Sequence, residues 1–64
     1  MVKVYIEREN RNVDVKANNV LELLKNLNIN KEVVLVVKNG NLITEDETLQ
    51  DKDKVELISV ISGG

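Results

Sequence analysis

Residues 18–28, "NNVLELLKNLN", are the one stretch of the chain in which apolar residues recur at helical spacing. Val20, Leu23, Leu24 and Leu27 stand at i, i+3, i+4 and i+7, with Glu22, Lys25 and Asn26 on the other side. Asn18 or Asn19 is placed to cap the first turn by accepting a backbone N–H. Glu22 lies three residues after Asn19, which resembles a capping box with Asn in the Ser/Thr place. The spacing predicts a short helix of about three turns, ending near Asn28.

Outward from that helix, the period changes to two. In "VKVYIE", Val2, Val4 and Ile6 face one way and Lys3, Tyr5 and Glu7 the other, the pattern of a half-buried strand. "RENRN" is polar and turn-prone, and "NVDVKA" resumes the alternation with Val13 and Val15 inward, so the two runs read as a hairpin. After the helix, residues 33–37 are uninterrupted apolar and mostly β-branched, which predicts a strand in the sheet interior, covered on at least part of both faces. Asn39-Gly40 then signals a type I′ hairpin turn, because both central positions of that turn need positive φ. Leu42 and Ile43 begin the return strand. "TEDETLQDKDK" is an acidic loop with Leu49 as its anchor in the core, and "VELISVI" is the last strand, with Val55 and Leu57 inward and Glu56, Ile58 and Val60 on the opposite face.

The predicted order is β-β-α-β-β-β. One helix must cover one face of a mixed sheet, because only the helix supplies enough apolar surface to bury it. The first and last strands then lie parallel at the sheet centre. This is an α+β chain with the β-grasp, or ubiquitin-like, arrangement. Residues 1–61 are expected to form the domain and 62–64 a flexible tail.

Composition removes most chemistry from that domain. Its 64 residues hold no Cys and no His, so disulfides, thiolate ligands and the usual general base are all missing. Nine basic against eleven acidic residues give a net charge of -2, unlike the basic stripe of a nucleic-acid binder. One Tyr and no Trp or Phe leave no base-stacking platform. "MVKVYIERENR" lacks the apolar run of a signal peptide, and no stretch approaches the ~20 apolar residues that span a bilayer. A cytoplasmic protein that is not an enzyme is expected, with no metal site.

The sequence closes on Ser62, Gly63 and Gly64. Glycine makes up about 7% of average sequence, so a pair at a chosen place arises by chance about 0.5% of the time. One reading is a frayed end, as termini usually are. The other is an arm without side chains, able to thread a narrow channel and deliver the α-carboxylate of Gly64 to a distant site.

"VVKNGNLI" with "LQDKDKVELISVISGG" resembles the C-terminal half of the ThiS/MoaD family of ubiquitin-like sulfur carrier proteins, a pattern shared by small archaeal ubiquitin-like modifiers. The resemblance rests on the Asn39-Gly40 turn, the Leu-x-Asp-x-Asp-x-Val-Glu run over 49–56, and the Gly63-Gly64 end. The N-terminal half matches in element order and spacing. Two features depart from the pattern. Lys52 stands where the family usually has Gly between the paired aspartates; positive φ there costs a non-Gly residue on the order of 1 kcal/mol. MoaD-like members are also usually longer and often carry prolines before the final glycines. This chain has no Pro, and its ending looks more like ThiS.

The resemblance implies a function. A ubiquitin-activating-type adenylyltransferase, using its own ATP and Mg, adenylates Gly64, and the acyl-adenylate becomes a thiocarboxylate that donates sulfur. The acceptor is the thiazole of thiamine, made with a thiazole synthase, or molybdopterin, or a tRNA base. Ser62 and Gly63 form the flexible arm. From the strand pattern, with the first and last strands parallel, Tyr5 is expected beside Ile58 and Val60 on the face away from the helix. That patch is expected as the docking face for the activating partner, the other reading being that twist and loops cover these side chains. This chain binds no cofactor, nucleic acid or membrane itself. Two alternatives stand beside the carrier: a protein modifier joined to lysines through Gly64, and a non-covalent β-grasp interaction module. Glu45, Asp46 and Glu47 form an acidic cluster whose plain reading is hydration. Asp51 and Asp53 are better explained by turn hydrogen bonds.

Overall fold

The structure, a computed structural model, describes residues 1–60. Strand β1 (Val2–Ile6) buries Val2, Val4 and Ile6 and leaves Lys3 exposed, as its alternation requires. A 3₁₀ turn at Glu7–Glu9 follows, and Asn10, at φ 50°, reverses the chain into β2 (Arg11–Val15). Asparagine tolerates this left-handed conformation better than most residues. The hairpin is antiparallel, with Val2 opposite Val15 and Val4 opposite Val13.

Helix α1 (Val20–Asn26) buries Val20, Leu23 and Leu24. Asn19 is the capping residue: its Oδ1 accepts from the Glu22 N–H at 2.8 Å, and Glu22 Oε1 accepts in return from the Asn18 N–H at 3.1 Å. The helix has seven residues, shorter than the spacing predicts. Asn28 adopts φ 58°, its N–H donates to the Lys25 carbonyl, and the Ile29 N–H donates to the Leu24 carbonyl. Those two bonds form a Schellman cap with Asn in the usual Gly position, which ends the helix before Leu27.

The apolar run also starts later as a strand than its composition suggests. A 3₁₀ turn spans Lys31–Val33, capped by Asn30 Oδ1 on the Glu32 N–H at 2.9 Å, so β3 is Val34–Lys38. Only Val36 in it is fully buried, and Leu35 stays 44% exposed, so its outer face is covered only in part. Asn39 (φ 51°) and Gly40 (φ +86°) both take positive φ, as the type I′ turn demands, and β4 (Asn41–Ile43) returns. Lys52 is not among the residues at positive φ, so the substitution for glycine costs no backbone strain.

Strand β5 (Lys54–Ser59) runs parallel to β1 and antiparallel to β3. Among the described residues the five strands form one mixed sheet in the order β2-β1-β5-β3-β4, with β5 at its centre. Val55 and Leu57 join Val2, Val4, Ile6 and Val36 under the buried face of α1, so the helix closes the core on one side of the sheet only. Leu49 anchors the loop before β5 in that core, as expected.

Loop 44–49 has a second task. The first N–H groups of a helix have no partner within it. Here the Val20 N–H donates to the Glu47 carbonyl at 3.1 Å and the Leu21 N–H to the Glu45 carbonyl at 3.0 Å, while the Asn18 carbonyl accepts from Leu49 at 2.8 Å. The acidic loop is thus a backbone cap for α1.

Candidate functional site

Two places matter for the expected chemistry: where the chain leaves β5, and the sheet face opposite the helix. Each residue of β5 between Val55 and Leu57 has a ladder neighbour on both β1 and β3. The Val60 N–H continues the β3 side by donating to the Val33 carbonyl at 2.9 Å. The last described residue therefore leaves from the strand held on both sides, at a position fixed by the sheet. Ile61, Ser62, Gly63 and Gly64 lie outside the described residues.

The outer face divides into two halves. Strand register places Leu35 beside Ile58 and Val37 beside Glu56, with Leu42 beyond Val37. Leu42 is 65% exposed and Val60 41% exposed, while Ile58 and Val37 are half-buried. An apolar strip thus crosses β5, β3 and β4 and reaches the end of β5 from which the tail continues. The other half is polar. Tyr5 lies on this face, but its neighbour across the ladder is Glu56, and Ile58 stands one diagonal step away. The Tyr5 hydroxyl donates to Asn10 Oδ1 at 2.6 Å, which ties it to the first hairpin. Lys3 and Lys54 sit side by side on β1 and β5. An open concavity of about 410 Å³ there is lined by Lys3, Tyr5, Asn12, Lys54, Val55 and Glu56.

Leu35, Val37 and Leu42 therefore share this face with Ile58 and Val60, while Tyr5, like Val37, stands one diagonal step from Ile58. Leu35 and Val37 escaped the sequence reading because an unbroken apolar run hides which members point outward, and Leu42 because its neighbour across the ladder is set by register. The signal was parity: once Val36 faces the helix, Leu35 and Val37 cannot.

The acidic side chains of the loop are already paired. Lys31 Nζ lies 3.0 Å from Glu45 Oε1, Lys38 Nζ lies 3.1 Å from Glu47 Oε2, and the Thr44 hydroxyl donates to Asp46. That hydroxyl, with the Asp46 backbone N–H, holds the Asp46 carboxyl below its ordinary value. Among the described residues no group of acidic side chains is arranged to hold a metal ion.

Asp53 belongs to a tighter network. It is 7% exposed, and its Oδ2 accepts from the Gln50 N–H at 2.8 Å while Oδ1 accepts from Asn39 Nδ2 at 3.0 Å. The Gln50 N–H, then the Asn39 amide, lower its pKa. Asn39 also binds the start of β5 in both directions, its N–H to the Lys54 carbonyl at 2.8 Å and its Oδ1 from the Lys54 N–H at 3.0 Å. The turn at 39–40 is thereby fastened to the strand that leads to the tail. Asn39 and Asp53 are fourteen positions apart, and nothing local in the sequence links them.

A sequence model described as the ThiS family matches residues 3–64. The sulfur carrier protein TtuB of Thermus thermophilus is 39% identical over 57 residues, which cover 88% of each chain. A chain in the protein–protein complex of subunits 1 and 2 of molybdopterin-converting factor from Helicobacter pylori 26695 superposes with a TM-score of 0.74 at 26% identity, covering 98% of this chain and 97% of that one. No described helix is long and apolar enough to cross a membrane.

Proposed function

We propose that this chain, which belongs to the ThiS family, carries sulfur as a thiocarboxylate on the terminal carboxyl group of Gly64. It is a sulfur carrier protein of that family and not a catalyst. A carboxylate is a poor electrophile, so its oxygen must first gain a leaving group. An activating partner supplies it: a Gly64 oxygen attacks the α-phosphorus of ATP, pyrophosphate departs, and an acyl-adenylate remains. A sulfur donor then displaces AMP, leaving sulfur in place of one carboxyl oxygen. ATP and Mg belong to the partner, and nothing in this sequence requires His or Cys. The acceptor is a thiazole precursor of thiamine, a molybdopterin precursor or a tRNA base, and the setting is cytoplasmic.

The observation that carries this reading is that the family match extends through Gly63 and Gly64. The fold supports it physically. The described chain ends at Val60, tied to β3 at the end of the central strand, so a partner that grips the outer face meets that end at a fixed place. Ile58 and Val60, with Leu35, Val37 and Leu42, are the apolar half of that docking face, and Tyr5 is at its polar margin.

Deletion of Gly64 tests the proposal. The shortened chain is expected to keep its fold and its binding to the activating enzyme, and to lose all ATP-dependent charging. Undiminished function without Gly64 would favour a non-covalent module instead.

A further inference from the structure

We propose that Asn39 is a site of spontaneous deamidation which the folded protein holds in check through Asp53 and Lys54, and whose product cannot restore the bond to Asp53. Asn-Gly is the sequence most open to this reaction, since glycine offers no side chain to hinder its own nitrogen. The Gly40 amide nitrogen, losing its proton to solvent hydroxide, bonds to Asn39 Cγ. The Cγ–Nδ2 bond breaks and Nδ2 leaves as ammonia. Water then opens the five-membered imide at either carbonyl, giving an α-linked aspartate or an isoaspartate. No oxidant or reductant takes part.

Asn39 and Gly40 are both exposed, so water and hydroxide reach them. The side-chain amide, however, is held at both ends. Nδ2 donates to Asp53 Oδ1 at 3.0 Å, and Oδ1 accepts from the Lys54 N–H at 3.0 Å. Swinging Cγ toward the Gly40 nitrogen breaks both bonds at once. It also strips a partner from Asp53, which is 7% exposed. The native state thus resists the reaction, and opening of the turn or of residues 50–54 permits it.

The product differs in kind from the residue it replaces. A new carboxylate at position 39 faces the Asp53 carboxylate where a donor stood, and like charges so placed repel. The isoaspartyl form also adds a backbone carbon to a two-residue turn whose geometry fixes the β3–β4 register. Both products lose the bond to Asp53, and the isoaspartyl form also shifts the backbone and side-chain groups that hold Lys54 at the start of β5. The reaction therefore acts as an irreversible record of the time the turn has spent open.

The test follows the Asn39 peptide by mass spectrometry during incubation of the full chain at mildly alkaline pH. Folded protein is expected to deamidate at least about tenfold more slowly than protein in denaturant, the retardation that two retained hydrogen bonds imply. Asp53→Ala, which removes one of the two bonds, is expected to raise the native rate severalfold, part of the way to the denatured one. Should that variant not fold, a second pair decides. Asn39→Asp alone is expected to lower the melting temperature, and adding Asp53→Asn, which exchanges donor and acceptor, to recover it. Equal rates in folded and denatured wild type, an unaltered rate in folded Asp53→Ala, or no recovery in the double variant overturns the proposal.

Discussion

Asp53 is a carboxylate whose surroundings in the fold differ from those in the unfolded chain. The Gln50 N–H and the Asn39 amide both stabilise its charged form, so its folded pKa lies below the ordinary aspartate value of 3.8. A lowered folded pKa means the unfolded chain binds the proton more readily. The stabilisation is therefore fully present above pH 3.8 and lost as pH falls through the lower folded value. Denaturant melts at successive acid pH values are expected to show a fall in stability in that window, and Asp53→Asn to flatten it. An unchanged acid limb in the variant contradicts the role given to this carboxylate. Nothing at the level of single residues announces it: Asp51 and Asp53 look alike in sequence, yet Asp51 is exposed and Asp53 buried.

At the scale of elements, the short helix depends on its ends. Asn19 caps it from within, and the Glu45 and Glu47 carbonyls cap it from the loop that follows β4. Asn19→Ala is expected to cost about 1 kcal/mol in chemical unfolding, the usual loss for a cap of this kind. No measurable loss contradicts the assignment. The sequence announces the cap, the helical face, the two hairpins and the inward set Val2, Val4, Ile6, Val55 and Leu57, because each is a local pattern. It misplaces the end of α1 and the start of β3. Asn28 and Asn30 end one element and open the next through φ and side-chain bonds that periodicity does not register. The backbone role of loop 44–49 is invisible for the same reason: carbonyls carry no sequence signature. On the outer face, Ile58 is half-buried beside exposed Leu35. Ile58→Asp is expected to weaken binding to the activating partner by about tenfold or more, as loss of a central apolar contact does, while the fold persists. Binding unchanged by titration or surface resonance removes Ile58 from the docking face.

For the whole molecule, the parallel pairing of β1 with β5 is the organising feature. It joins the two ends of the described chain, sets β5 between β1 and β3, and, among the described residues, leaves one sheet face without a helix. The element order made this arrangement legible, since one helix in so small a chain covers only one face. The apolar strip was half legible, through Ile58 and Val60, because the register that adds Leu35, Val37 and Leu42 is a tertiary fact. The most direct measurement of the central claim is intact-mass analysis of the protein isolated from its native cell, with fragmentation to locate any change. A species in which one oxygen is replaced by sulfur, mapped to Gly64, is the expected result. Finding the C-terminal residues only as branched remnants on lysines of other proteins contradicts it, and makes the chain a modifier instead of a carrier.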